Sequence, residues 1–170
     1  MRFRRALTHA VDMQTINDAL IGGKAILTPS LLSPLADYYP AIERVITKYP
    51  YDPRRAQQLL DEVGLPKGGD GFYVNPNGEP FTLEVRYTAN PTHESENAII
   101  VDVFRRLGLN ATGAVIPPIG LRDAQFLATL PGIFTTGARG HEQDMARFTT
   151  AQIPRPETRW QGFKIGRAHV

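Results

Sequence analysis

The 170-residue sequence contains no cysteine. That absence excludes disulfide bridges, thiol nucleophiles and cysteine-based zinc sites. It leaves the redox compartment open, because a domain with an adequate core needs no disulfide. No apolar run approaches the roughly 18 residues that a membrane-crossing helix requires. The opening residues do not read as a secretory leader either. Met1-Arg2-Phe3-Arg4-Arg5 is basic, but His9, Asp12 and Gln14 interrupt what would be its apolar segment.

Catalytic motifs are scarce. Gly22-Gly23-Lys24 follows a helical pattern and is followed by Ala25, so it reads as a helix stop and not as a phosphate loop. No G-x-G-x-x-G run suggests a dinucleotide site. The histidines are scattered at His9, His93, His141 and His169, and His141-Glu142 is followed by Met145 where a zinc-protease motif needs a second histidine. Glu142 and Asp144 read as loop carboxylates. Ser30, Ser33 and Ser95 lie outside any G-x-S-x-G elbow and suit local backbone hydrogen bonding. The expectation is a protein without catalytic residues, metal or cofactor.

Charge adds little. Lys and Arg total 19 against 17 Asp and Glu, for a net charge of +2. The arginine pairs Arg4-Arg5, Arg54-Arg55 and Arg105-Arg106 fall on helical segments without interleaved stacking aromatics, so no nucleic-acid partner is expected. With 42% hydrophobic and 21% charged residues, the chain has an ordinary globular balance.

The hydrophobic pattern is informative. Arg2 to Gly23 carries a helical period that restarts at Asp12, with Phe3, Ala6 and Ala10 on one face and Ile16, Ala19 and Leu20 on the next. Residues 24–49 read as an irregular, extended segment rich in Pro29, Pro34 and Pro40, whose Ile26, Leu27, Leu31, Leu32 and Leu35 need a surface to pack on. Asp52-Pro53 announces a helix: an acceptor at the N-cap, then a proline where no N–H is needed. Ala56, Leu59, Leu60 and Val63 recur at helical spacing before Gly64. Turns at Gly68-Gly69-Asp70-Gly71 and Asn75-Pro76-Asn77-Gly78 bracket a short exposed excursion.

From Phe81 the period becomes two. Phe81, Leu83, Val85 and Tyr87 alternate with polar residues, which predicts a strand. A helix from about Thr92 to Leu107 follows, with Ile100, Val103, Phe104 and Leu107 inward. Then come a strand over Ala111 to Ile116, a short helix over Leu121 to Leu130, and a strand over Gly132 to Thr136. This order predicts an α/β fold with a small, mainly parallel sheet flanked by helices. Ligands of such sheets lie beyond the carboxyl ends of the strands. Here those ends carry Thr88-Ala89-Asn90, Pro117-Pro118 and Gly137-Ala138, residues suited to turns and exposed backbone. The candidate ligand-binding residues are therefore Thr136, Gly137, Ala138, Arg139 and Gly140.

Arg4-Arg5-Ala6-Leu7-Thr8-His9-Ala10-Val11-Asp12 with Ile16 and Gly22-Gly23, then Tyr51-Asp52-Pro53-Arg54-Arg55-Ala56 through Gly64, then Asn77-Gly78-Glu79-Pro80 and Gly108-Leu109-Asn110, follow one another along the chain. That ordered set resembles solute-binding protein family 5, the oligopeptide-, dipeptide- and nickel-binding proteins of ABC importers. Met13 departs from the basic residue often found at its position. The resemblance implies a partial C-terminal-lobe region of a two-lobed, type II periplasmic-binding-protein fold over residues 1–164. It implies a protein that is not an enzyme, a peptide or other small solute as ligand, and permease subunits and a preceding N-terminal lobe as partners. It places the protein in the periplasm or on the outer face of the cytoplasmic membrane. The cleft loop after the third strand often carries Trp and an acidic residue in this family; here Arg139 stands nearby, suited to a peptide carboxylate. Ile165 to Val170 resembles a translated sequencing adapter and is expected to be a non-native tail. The alternative is a free-standing α/β domain with an enzymatic or regulatory role.

Overall fold

The computed structural model describes residues 1–30, 32–135 and 153–161. In chain order it forms α1 (Arg2–Ala10), α2 (Met13–Ile21), α3 (Tyr39–Glu43), α4 (Pro53–Val63), β1 (Thr82–Thr88), α5 (Pro91–Arg106), β2 (Asn110–Ile116), α6 (Ala124–Thr129) and β3 (Ile133–Thr135), with 3-10 turns at Gly120–Arg122 and Pro156–Thr158. Two compact units result. One comprises Met1–Leu27, Lys48–Val115 and Gly132–Thr136; the other comprises Thr28–Thr47, Ile116–Pro131 and Gly137–Val170.

The first unit holds the sheet, in strand order β2-β1-β3. β1 pairs with β3 in parallel, matching Val85 with Ile133, Arg86 with Phe134 and Tyr87 with Thr135. The connection from β1 to β2 runs through α5, the kind of crossover that a hairpin cannot replace between parallel neighbours. Leu83 and Val85 are buried on one face of β1 and meet Ile100, Val101 and Phe104 of α5 in a single core. That core continues into α1 and α4, which pack together through Ala6, Leu7 and Ala10 against Ala56, Leu59 and Leu60. Ala6 and Ala56 are fully buried; alanines there let the two helices approach closely. Burial of each of the larger side chains contributes about 2 kcal/mol.

Local chemistry sets the element boundaries. Asp12 caps α2 by accepting from the amides of Gln14 (3.0 Å) and Thr15 (3.2 Å). Its carboxyl also accepts from the Thr15 hydroxyl, the main reason its pKa lies below the ordinary carboxylate value. Asp52 caps α4 through the Arg55 amide at 2.9 Å, with Pro53 in the first turn. Both helices end at glycines in the left-handed region, Gly22 at φ 64° and Gly64 at φ 80°.

Several expectations are corrected. Ala19 is exposed, and the inward position beside Ile16 belongs to Asn17, whose amide exchanges two 3.0 Å bonds with the backbone of Ala25. Val63 is exposed at the end of α4, where its turn runs past the core. The excursion between the two turns is not exposed throughout. Tyr73 is 1% exposed, and its hydroxyl donates to Asp61 (2.8 Å) while accepting from Gln57 of α4. Lys67 lies over the same ring at 4.9 Å. Burial, reinforced by the Asp61 carboxylate, raises the Tyr73 pKa to about 12.

The second unit contains α3, α6 and both 3-10 turns. α3 sits inside the stretch expected to be irregular; at five residues it is too short to show a period. Leu32 is buried, while Ile26, Leu27 and Leu35 are exposed, and Leu31 lies outside the described residues. The expected Leu121–Leu130 helix is split. Asp123 leaves helical geometry at ψ 103° to cap α6 through the Phe126 amide (2.9 Å), and a 3-10 turn precedes it.

Candidate functional site

The carboxyl edge of the sheet is where strand geometry leaves backbone groups free and loops converge. β1 is the central strand, so its end at Thr88 faces the middle of that edge. Asn90 follows, and its extended backbone (φ −152°, ψ 155°) turns the chain into α5 with Pro91 in the first turn. The Asn90 side chain is engaged at both ends. Its Oδ1 accepts from the His93 amide at 2.8 Å, capping the helix, and its Nδ2 donates to His93 Nδ1 at 2.7 Å. The Thr88 hydroxyl bonds to the same ring nitrogen.

These bonds hold the His93 ring in place. The cap bond orients the Asn90 amide, so the group facing the ring is an NH2 and can only donate. An Nδ1 that accepts from this amide places the hydrogen of a neutral ring on Nε2, whereas an Nδ1–H would donate to the Thr88 hydroxyl. The half-buried His93 is thereby held beside the end of the central strand. Sequence reasoning missed this role. The available signal was local: Thr88-x-Asn90-Pro91-x-His93 combines a helix cap with a hydroxyl two residues before it.

His9 contrasts with His93. Its Nδ1 lies 2.7 Å from the Pro50 carbonyl and so carries the hydrogen. The Asp52 amide in turn donates to the His9 carbonyl at 2.8 Å, and the His9 ring meets Tyr49 edge-on at 5.6 Å. This pair of bonds fastens the end of α1 to the start of α4. His9 is structural.

The candidate residues Thr136, Gly137, Ala138, Arg139 and Gly140 lie outside the described residues, as do His141, Glu142, Asp144 and His169. The strand that leads to them is described as far as Thr135, whose hydroxyl donates to the Arg86 carbonyl at 3.2 Å. β3 enters beside β1 through Gly132 at φ 80°, where a β-carbon would lie 2.2 Å from the Glu84 carbonyl oxygen. Only glycine permits that approach. Among the described residues, no group of three or more His, Asp or Glu side chains is placed to hold a metal. No described helix is long and apolar enough to cross a membrane.

Comparison with known proteins agrees with this architecture. The chain is 36% identical to heme-binding protein A of Haemophilus influenzae over 110 residues, covering 64% of this chain and 18% of that protein. Its fold superposes on the oligopeptide-binding protein of Thermus thermophilus complexed with a pentapeptide, with a TM-score of 0.76 at 21% identity over 98% of this chain and 30% of the other. It also superposes on NikZ from Campylobacter jejuni in complex with Ni(L-His), with a TM-score of 0.59 at 26% identity over 69% of this chain and 23% of the other. The chain spans about a fifth of the length of the curated relatives it matches. Residues 1–149 match the family described as "Bacterial extracellular solute-binding proteins, family 5 Middle". With α1, α2, the Asp52-capped α4 and the β1-α5-β2 unit all inside that match, the chain belongs to the family 5 bacterial extracellular solute-binding proteins.

Proposed function

We propose that this chain forms part of one lobe of the substrate-binding component of an ABC importer. In this reading it captures peptides outside the cytoplasmic membrane for delivery to permease subunits, and it catalyses no reaction. Residues 1–164 belong to that lobe, and the loop 136–140, with Arg139, lines the ligand cleft.

The observation that carries the peptide reading is the 2.7 Å contact of Asn90 Nδ2 with His93 Nδ1. A metal centre takes the lone pair of a ring nitrogen. With Nδ1 accepting from Asn90 Nδ2, Nε2 would bear the hydrogen and His93 would offer a ligand no lone pair. What it offers is a hydrogen-bond donor, which suits a peptide carbonyl or carboxylate. The names of relatives span peptide, haem and nickel-histidine ligands, and most of those names give peptide.

The test is NMR titration of the 15N-labelled chain with di- to pentapeptides, which detects binding even at a Kd of about 1 mM. Shifts concentrated at Thr88, Asn90, His93 and 136–140, and lost in His93→Ala, are expected. Saturating peptide that leaves those signals in place would refute the reading.

A further inference from the structure

The second unit contains an open concavity of about 450 Å³ lined by Ile119, Arg122, Asp123, Gln125, Arg159 and Trp160 together with Ala124. Its lining comes from two stretches, each held in a defined conformation. On one side, Gly120 gives up its side-chain space to Phe126: a β-carbon there would lie 2.6 Å from Phe126 Cε1. The 3-10 turn is thereby seated against α6, with Arg122 and Asp123 at the junction. On the other side, Arg159 (φ 50°) and Trp160 (φ 61°) are consecutive non-glycine residues in the left-handed region. Side chains adopt that conformation only where surrounding bonds impose it. Here the Arg159 amide donates to Pro156 O (2.9 Å), the Trp160 amide to Arg155 O (2.8 Å) and the Gln161 amide to Thr158 O (3.0 Å).

Among the described residues that line this concavity, the charges do not cancel. Asp123 is the one carboxylate among them, and Asp123 Oδ1 is committed to the Phe126 amide. Arg122 and Arg159 are exposed, and neither makes an ion pair among the described residues. Beside them lies the half-buried indole of Trp160, the chain's single tryptophan. Guanidinium groups bind carboxylates through paired, charge-assisted hydrogen bonds, and an indole face receives the flat or apolar group next to the anion.

We infer that Arg122, Arg159 and Trp160 form a subsite for a carboxylate flanked by a planar or apolar group. This rests on the peptide reading above, with the carboxylate supplied by a peptide C-terminus or an acidic side chain.

Trp160 emission reports on this place alone. The probes are Phe-Ala-Phe with a free C-terminus, the same tripeptide as its C-terminal amide, and Phe-Glu-Phe amide. The free acid is expected to perturb Trp160 emission with a Kd at least tenfold lower than the amide if the terminal carboxylate is read. Phe-Glu-Phe amide is expected to do so if a side chain is read; either result supports the subsite. Arg122→Gln and Arg159→Gln should each weaken the preferred probe about tenfold, while Arg122→Lys retains part of the affinity. Both positions are exposed, so unchanged circular dichroism serves as the folding control. Three peptides of equal affinity, or arginine variants without effect, would overturn the subsite. Peptide shifts at His93 would leave the peptide reading standing in that case, whereas no response at either Trp160 or His93 would remove both.

Discussion

Asn97 of α5 occupies the space that a side chain on Gly113 of β2 would need: a β-carbon at Gly113 would lie 2.4 Å from Asn97 Oδ1. Asn97 is 3% exposed, and its Nδ2 donates to the Val85 carbonyl of β1 at 2.9 Å. One buried amide therefore ties the helix to the central strand, and the neighbouring strand accommodates it with a glycine. Gly113→Ala should destabilise the chain by about 1–3 kcal/mol through overpacking. Asn97→Ala should cost about 1–2 kcal/mol through the lost buried bond. The double variant should lose less than the sum, because removing the amide makes room for the methyl group. Urea titrations of the four proteins measure this, and strict additivity would count against the shared-space account.

Asp12 gives the chain an acid-sensitive cap. Its folded pKa lies below the ordinary value of 3.8, chiefly because the Thr15 hydroxyl and amide donate to the carboxylate. The unfolded state then binds the proton first as pH falls, so the stabilisation is present above about 3.8 and is lost as pH drops through the lower folded value. Asp12→Ala should remove about 1 kcal/mol at neutral pH. The gap between wild type and variant should narrow below pH 4 in parallel denaturation curves.

Tyr73 acts at the other end of the pH scale. Its pKa is raised to about 12 from 10.0, so between these values the unfolded state loses its proton while the folded state keeps it. Stability should be unaffected by this group below pH 10 and should fall by on the order of 2 kcal/mol as pH rises to 12. Tyr73→Phe removes the ionisation, and its stability curve should lack that slope. A variant curve parallel to wild type from pH 9 to 12 would rule out the buried hydroxyl as the source.

The histidine assignment can be read directly. Long-range 15N–1H correlation spectra should show His93 with an unprotonated Nδ1 and His9 with a protonated one. Asn90→Ala removes the amide that donates to His93 Nδ1 and should leave His93 as a mixture of tautomers. A His93 Nδ1–H signal in the unaltered protein would remove the donor from the candidate site.

Gly132→Ala tests the entry of β3. With φ at 80° and the Glu84 carbonyl 2.2 Å from the would-be β-carbon, neither the backbone nor its neighbour can yield without breaking the β1–β3 pairing. The expected cost is about 3 kcal/mol or more, with loss of amide protection confined first to residues 133–135 in hydrogen exchange.

The features legible in the sequence are those whose cause is local. Asp12 and Asp52-Pro53 announce α2 and α4 because a cap needs only the next three residues. The alternation at Leu83 and Val85 and the helical spacing of Ile100 and Phe104 placed β1 and α5 because burial on one face imposes a period. What escaped depends on partners distant in sequence. Tyr73 is buried because Gln57 and Asp61 of α4 meet its hydroxyl, and no pattern around residue 73 records that. Asn17 is buried because Ala25 returns to it. The contacts of His93 depend on the orientation of the Asn90 amide, which composition cannot convey. The ordered family motifs carried the functional expectation further than any single residue did.

The strand order also dictates a sequence of events during synthesis. β1 lies between β2 and β3, and its pairing of Tyr87 with Thr135 closes a loop across α5, β2 and α6. As the chain emerges from its N-terminus, α1 and α4 can dock and β1 can gather α5 and β2 while the third strand is still unmade. Until then one edge of β1 has its hydrogen-bonding groups open, and long-range parallel pairing is slow to close. The β3 side of the sheet is therefore the last part to assemble. Chaperone dependence and premature aggregation should respond most to changes in residues 132–135, the segment that completes it.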